Sequence, residues 1–274
     1  MRVTQLLLLL LATLAASPAD ADTRFRFPAV DPDGELFMAV PIVHMDHDPK
    51  PDPTGTTCEN YKGDGLPWCY DGHDGTDYLL MWGFSTMDKF DVQVVAAADG
   101  EVALAEDGNY DRCHETSGFK VTCDGHPIKA NQVSVRHADG LLSRYVHLKK
   151  GSVKVKVGDK VVCGQLLGYV GSSGNSARPH LHFEVEDAAG KTLDPYAGKN
   201  TQPTSYWVSQ TPDSYGKPAA RCQGAGSADG GLDRGQDPRA TLPMGCNAGR
   251  SGDQNLPLIL LLMLGWCGYL RVRH

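Results

Sequence analysis

Short apolar segments separated by turn residues run through most of this chain, from about Phe25 to Trp207. None of them shows a convincing long helical period of about 3.6 residues, whereas several alternate between apolar and polar residues as half-buried strands do. The 31 glycines and 17 prolines also favour short strands and many turns over a helix bundle. The sequence therefore predicts a mainly β fold, a small domain of antiparallel strands.

Two hairpins are predicted from turn signals between apolar runs. Val92–Ala98 ends at Asp99-Gly100 and is followed by Glu101–Ala105, and Gln132–Arg136 is followed after a second Asp-Gly turn by Leu141–His147. Further strands are predicted over Ser152–Val157, Leu166–Val170 and Leu181–Val185.

Length and charge narrow the class of protein. A chain of 274 residues can form one sizeable domain or two small ones. Its formal net charge is −7, from 33 Asp and Glu against 26 Lys and Arg. This balance argues against nucleic acid as the main partner, because binding to phosphates relies on clustered Lys and Arg.

Four histidines and one aspartate are candidates for a metal site. His73 and Asp77, at i and i+4, would share a face on an extended chain, although this spacing often arises by chance. His180 and His182 share one face of a predicted strand, where a polar pair is costly unless it is satisfied. His147 ends another β segment. A catalytic zinc needs three protein ligands and an open position, and spacing alone leaves open which of His180 and His182 binds it.

The remaining candidates favour structural roles. The sequence has no HExxH motif, which excludes thermolysin-like chemistry, and Ser172-Ser173 lacks the strand–elbow–helix context of a nucleophile. His44 and His47 are predicted in an exposed acidic loop rather than at a second metal, and His137 is predicted to be structural. His114 and His126 stand in a polar insertion without ligand spacing.

Three motifs follow one another in a fixed order: His73-x-Gly-x-Asp77, Tyr145-x-His147-Leu148, and a Gly-Ser-rich run that ends in Pro179-His180-x-His182-Phe183-Glu184. In this order they resemble the lysostaphin/LytM-type zinc metallopeptidases, peptidase family M23. The resemblance covers roughly Gly72 to Val185, about two-fifths of the chain.

This resemblance implies a zinc endopeptidase with its site in a groove over the sheet. It implies that His73, Asp77 and His182 hold the zinc ion, that His180 is the general base, and that His147 hydrogen-bonds or protonates the tetrahedral intermediate. The implied substrates are stem or cross-bridge peptides of peptidoglycan. The alternative is a non-catalytic zinc-binding regulator or wall-binding module on the same fold, in which ligands or flanking histidines are typically lost.

The first residues are predicted to be a signal peptide over residues 1–21. Met1-Arg2-Val3 is a basic start, Leu6–Ala16 is apolar, and Ala19-x-Ala21 is a small-residue cleavage site. Export makes disulfide bonds possible and suits the eight cysteines of the chain.

The last residues, 246–274, are predicted to be a sorting or membrane-anchor tail. Leu256–Leu270 is uncharged and apolar but short for a bilayer core of about 30 Å, and basic residues follow it. With Gly245-Cys246 before it, this end resembles the C-terminal sorting tails of myxobacterial surface proteins. That resemblance implies a processing enzyme at Cys246 and an exported protein of the cell envelope or surface, associated with the membrane through the tail.

Between these ends, a catalytic domain is predicted over residues 22–207 and a flexible polar stalk over residues 208–245, where apolar residues thin out. Six cysteines remain once Cys246 and Cys267 are assigned to the tail. Proximity in sequence favours two disulfide bonds, Cys58–Cys69 and Cys113–Cys123.

Overall fold

Antiparallel strands dominate the structure, a computed structural model that describes residues 22–38, 42–50, 56–117, 120–210 and 217–224. The mainly β prediction is confirmed, since these residues contain one short helix and eleven strands. The elements are β1 (Thr76–Leu79), α1 (Phe84–Lys89), β2 (Gln93–Val95), β3 (Gly100–Glu106), β4 (His114–Glu115), β5 (Val121–Thr122), β6 (Gln132–Arg136), β7 (Leu142–Val146), β8 (Lys160–Val161), β9 (Leu166–Tyr169), β10 (His180–Glu186) and β11 (Thr192–Leu193).

The large sheet has seven strands in the order β1-β10-β7-β6-β3-β8, and β11 pairs with β10. Two smaller sheets pair β2 with β9 and β4 with β5. The hairpin predicted at the Asp-Gly turn after β6 is confirmed as the β6–β7 pair.

The hairpin predicted around Asp99-Gly100 is wrong, because β2 pairs with β9 whereas β3 pairs with β6 and β8. At Gly100 the chain passes from the small sheet to the large one, and a Cβ there would lie 2.5 Å from the Arg136 carbonyl oxygen. Residues 152–157, predicted as a strand, are irregular and are attached to β9 through the Lys154 N–H, which donates to the Leu167 carbonyl.

Strand β10 has one face in the core and an opposite face that carries candidate site residues. Leu181, Phe183 and Val185 are fully buried in the core, where Phe183 packs edge-on against Tyr145 of β7. Because side chains alternate along a strand, His180, His182 and Glu184 lie on the opposite face. The register places Asp77 of β1 directly beside His182.

An N-terminal segment extends the sheet beyond β1. Val43 and Asp77 form an antiparallel bridge and exchange two backbone hydrogen bonds, of 2.8 and 3.3 Å. Residues around His44 therefore lie against the strand that carries the aspartate of the candidate site.

Three disulfide bonds join the described cysteines. Both predicted pairs, Cys58–Cys69 and Cys113–Cys123, are confirmed, and Cys163 pairs with Cys222. The first bond closes the loop just before His73. The second closes the segment that holds β4 and β5.

The described part of the predicted stalk is bound to the domain. The Phe27 N–H donates to the Ala219 carbonyl at 2.8 Å, Lys217 pairs with Asp31, and the Cys163–Cys222 bond fixes residue 222. Residues 217–224 therefore pack on the domain. The contacts of the domain extend past residue 207, where its end was predicted.

The signal peptide over 1–21, the stalk from 225 and the tail with Cys246 and Leu256–Leu270 lie outside the described residues. Among the residues that the structure does describe, no helix has the length and apolar character to cross a membrane.

Replacing Cys163 and Cys222 together by alanine is expected to lower the free energy of unfolding by about 4 kcal/mol, because this bond closes the longest loop. The two cysteines are 59 positions apart, against 11 for Cys58 and Cys69. The matched Cys58/Cys69 double variant should lose about 3 kcal/mol. Denaturant unfolding measures both losses, and a Cys163/Cys222 variant as stable as the wild type would contradict the expectation.

Candidate metal centre

Two histidines and one carboxylate meet where β1 and β10 run side by side. Asp77 and His182 are paired residues of the two strands. His73 lies three residues before β1, and the structure brings its side chain next to that of Asp77, with which it was predicted to share a face. All three residues are buried.

The three potential ligand atoms face one another. The distance from Asp77 Oδ1 to His182 Nδ1 is 2.8 Å, to His73 Nε2 it is 3.1 Å, and the two nitrogens are 3.3 Å apart. Ligand atoms around one tetrahedral zinc ion are roughly 3.3 Å from one another, given bonds of about 2.0–2.2 Å. Within the described residues, these three form the one such group that could hold a metal ion.

Neighbouring groups orient the imidazole rings. The Nδ1–H of His73 donates to the His44 carbonyl oxygen at 2.8 Å, which leaves the lone pair of Nε2 directed at the cluster. His182 presents Nδ1 to the cluster, and its Nε2 is 3.5 Å from Asp74 Oδ1. Metal-binding histidines commonly donate their second N–H to a carbonyl or carboxylate, as His73 does here. The donor set and its surroundings therefore fit a zinc ion.

The electrostatics of the cluster keep its carboxylate ionised. Burial alone would raise the pKa of Asp77, but His73 and His180 outweigh that effect and hold its pKa well below the usual range. Burial opposes protonation of His73, yet the Asp77 carboxylate raises the pKa of that histidine. A buried anion between imidazoles is a site that attracts a cation.

His180 and His147 flank the three ligand atoms. His180 Nε2 is 3.4 Å from Asp77 Oδ1, and its Nδ1–H donates to the Arg178 carbonyl at 2.7 Å. The rings of His147 and His180 are 4.5 Å apart. The Nδ1–H of His147 donates to the Ser173 carbonyl at 2.6 Å, so both histidines are anchored through Nδ1 and keep Nε2 for other partners.

His147 reaches this face through an unusual backbone conformation. Strand alternation would place it on the core face with Tyr145, but its φ of 65° turns the side chain away from that face. A non-glycine residue at positive φ is uncommon and is frequent at functional sites. Burial and the neighbouring His180 and His182 hold the pKa of His147 well below its usual range.

Gly75 allows β1 to approach His182. A Cβ at this position would lie 2.6 Å from His182 Cε1 and Nε2 and 2.8 Å from the Phe183 carbonyl oxygen. The glycine of the first motif is therefore required by the imidazole ring that packs over it.

His44, His47 and His137 make structural contacts outside the cluster. His44 was predicted in an exposed loop, but it is fully buried between the rings of Tyr61 and Tyr196, at 4.8 and 4.7 Å, and burial lowers its pKa to about 3. His47 contacts Asp194 at 2.9 Å. His137 contacts the Asp99 carbonyl oxygen and the Ser143 hydroxyl.

Sequence reasoning missed the backbone carbonyls that fix the rings. The carbonyls of His44 and Ser173 accept hydrogen bonds from His73 and His147, and they lie 29 and 26 positions from them in the chain. No sequence signal marks a carbonyl acceptor. The packing of His44 near the site is detectable only once the register of the N-terminal segment is known.

Part of this chain, including the cluster, is similar to known proteins. Residues 73–195 match the model of Peptidase family M23. The chain is 30% identical over 113 residues to peptidoglycan DD-endopeptidase ShyA of Vibrio cholerae. These residues make up 41% of this chain and 20% of that protein. It is also 43% identical over 113 residues to DD-carboxypeptidase/endopeptidase Mpg of Neisseria meningitidis. That alignment again covers 41% of this chain and 20% of the other protein. The matched region thus spans about a fifth of these relatives.

One solved structure similar to this chain is the catalytic domain of the antimicrobial peptidase lysostaphin from Staphylococcus simulans. It is 27% identical, with a TM-score of 0.31, over 49% of this chain and 82% of that one.

Proposed function

We propose that this chain is a zinc-dependent endopeptidase that hydrolyses stem or cross-bridge peptide bonds of peptidoglycan. The observation that carries the proposal is the buried cluster of His73, Asp77 and His182, whose ligand atoms lie 2.8–3.3 Å apart, with two more histidines directed at it. The family match over residues 73–195 and the peptidoglycan-cleaving relatives support it.

In this proposal His73, Asp77 and His182 hold the metal. When bound, zinc supplies Lewis-acid activation of water and polarisation of the scissile carbonyl. Three protein ligands would leave one coordination position of a zinc ion for water or substrate, as catalytic zinc sites require. The carbonyl of His44 holds the imidazole of His73 in its tautomer, and the carboxylate of Asp74 lies 3.5 Å from Nε2 of His182.

His180 is assigned as the general base. Its Nδ1–H is engaged by the Arg178 carbonyl, so its Nε2 is the atom that accepts a proton from the attacking water. The nearby Asp77 carboxylate raises the pKa of His180 against the effect of burial, which makes proton uptake at Nε2 more favourable.

His147 is assigned to the tetrahedral intermediate. Its ring adjoins that of His180 and lies 5.9 Å from that of His182. A proton gained at Nε2 would let this ring donate a hydrogen bond to the developing oxyanion or pass the proton to the leaving amine.

Export, envelope retention through residues 246–274 and processing at Cys246 are part of the proposed function as sequence-based predictions. They concern residues outside the described ranges.

Incubation with purified sacculi tests the proposal. The zinc-loaded chain should release soluble muropeptides, and mass spectrometry should show new peptide termini rather than cleaved glycan. Sacculi with diaminopimelate cross-links and sacculi with glycine cross-bridges, tested in parallel, identify the bond. Intact sacculi of both kinds after prolonged incubation would contradict the peptidase and favour the non-catalytic regulator.

A further inference from the structure

Asn131, the residue before β6, is fully buried and uses every polar group it has. Its side-chain amide donates to the carbonyls of Leu148 and Asn109, at 3.0 and 3.1 Å, and its Oδ1 accepts from the Asn109 N–H at 2.8 Å. Its backbone N–H donates to the Ser173 hydroxyl at 2.9 Å. Asn131 therefore joins three segments that are distant in sequence.

Ser173 holds His147 from two sides. Its carbonyl oxygen accepts the Nδ1–H of His147 at 2.6 Å. Its hydroxyl, while accepting from Asn131, donates to the carbonyl of Leu148 at 2.9 Å. The ring of His147 and the peptide that follows it are thus tied to the same buried serine.

These bonds act on the one residue of the site with strained backbone. A left-handed conformation is unfavourable for a non-glycine residue and persists only where the surroundings over-determine it. Leu148, directly after His147, has its N–H bound to the Asn131 carbonyl at 2.9 Å, and its own carbonyl is bound to both Asn131 and Ser173. Such double anchoring holds His147 at a φ of 65°.

We propose that Asn131 and Ser173 are positioning residues for His147: they hold its left-handed backbone and its Nδ1–H tautomer, so that Nε2 is presented beside His180. Neither residue touches the ligand cluster directly through a described contact. The inference rests on the role of His147 in the proposed function, but the geometry it claims does not depend on hydrolysis.

A measurement on the wild-type, zinc-loaded full chain tests the tautomer without any substitution. Nuclear magnetic resonance of isotope-labelled imidazole nitrogens should show His147 protonated at Nδ1, with a slowly exchanging proton, and unprotonated at Nε2. A His147 ring protonated at Nε2 would overturn the proposal, whether or not the protein hydrolyses peptidoglycan.

Ser173→Ala tests the clamp, the set of hydrogen bonds by which Asn131 and Ser173 hold His147, and Ser134→Ala is its matched control. Ser134 is an equally buried serine on β6, but its hydroxyl has no hydrogen-bond partner among the described residues. Ser173→Ala removes the hydroxyl that binds Asn131 and Leu148 but keeps the carbonyl that accepts the Nδ1–H of His147, so the backbone around His147 should loosen while the tautomer is kept. The slow exchange of the Nδ1 proton should be lost, and kcat should fall by about 10–100-fold at unchanged KM and zinc content, the usual effect of removing such a supporting contact. Ser134→Ala should keep both the slow exchange and kcat.

Loss of thermal stability alone in Ser173→Ala, with the slow exchange of the His147 Nδ1 proton and kcat both retained, would show that these contacts are merely structural and overturn the proposal. If Ser173→Ala does not fold, the tautomer of His147 measured in the wild-type chain decides whether the proposal stands. If the wild type hydrolyses nothing, the proposed function fails while the tautomer measurement still reports on the clamp.

Discussion

His182→Ala is expected to lose zinc and hydrolysis together, whereas His180→Ala should keep zinc and lose hydrolysis. His182 Nδ1 is within 2.8 Å of the Asp77 carboxylate and 3.3 Å of His73 Nε2, so its removal takes away one of three ligands. His180 Nε2 lies farther out, at 3.4 Å from the same carboxylate oxygen. Loss of a general base should lower kcat by about 10²–10⁴-fold.

Metal content and turnover should be measured on the same preparations of both variants. His126→Ala is the control, because His126 is exposed, stacks on Tyr110 and lies outside the cluster. It should bind one zinc ion per chain and retain wild-type turnover. The reverse pattern, zinc lost with His180 and kept with His182, would exchange the two assignments.

Gly75→Ala is expected to disable the metal site although it adds only one methyl group. The new Cβ would lie 2.6 Å from His182 Cε1 and Nε2, and the Phe183 carbonyl on its other side is backbone that cannot rotate away. The imidazole must therefore move from its position beside Asp77. Displacing or loosening a ligand in this way should weaken zinc binding by about 10–100-fold or more.

Gly65→Ala is the matched control for that substitution. The nearest atom to a Cβ at Gly65 is the Cys58 carbonyl oxygen at 3.4 Å, an ordinary contact, and its φ is not in the left-handed region. Competition with a zinc-binding dye measures both affinities. A folded Gly75→Ala chain that binds zinc as tightly as the Gly65→Ala chain would show that β1 tolerates a side chain there.

The local part of this site could be predicted from the sequence. His180 and His182 alternate with Leu181 and Phe183, and strand periodicity alone places the histidines on one face and the apolar residues in the core. The resemblance to a known family supplied the assignment of His182 rather than His180 as the ligand. The structure groups His182 with His73 and Asp77, and the assignment of these residues as zinc ligands stays a prediction.

The non-local part could not be predicted. His147 leaves the face that alternation assigns to it because its backbone is left-handed, and that conformation depends on Asn131 and Ser173, which are distant in sequence. The hairpin at Asp99-Gly100 failed for a similar reason. An Asp-Gly turn signals a change of direction, but the strand pairing is set by tertiary packing of β2 and β3 against other strands.

Titration of zinc into the metal-free chain, with muropeptide release from sacculi followed in the same samples, tests the central claim most directly. If His73, Asp77 and His182 hold the metal that the reaction requires, release should rise in proportion to bound zinc and stop rising at one ion per chain, and the Asp77→Ala chain should show neither binding nor release. Release that is unchanged by a chelator, or that stays absent with one zinc ion bound per chain, would contradict the account.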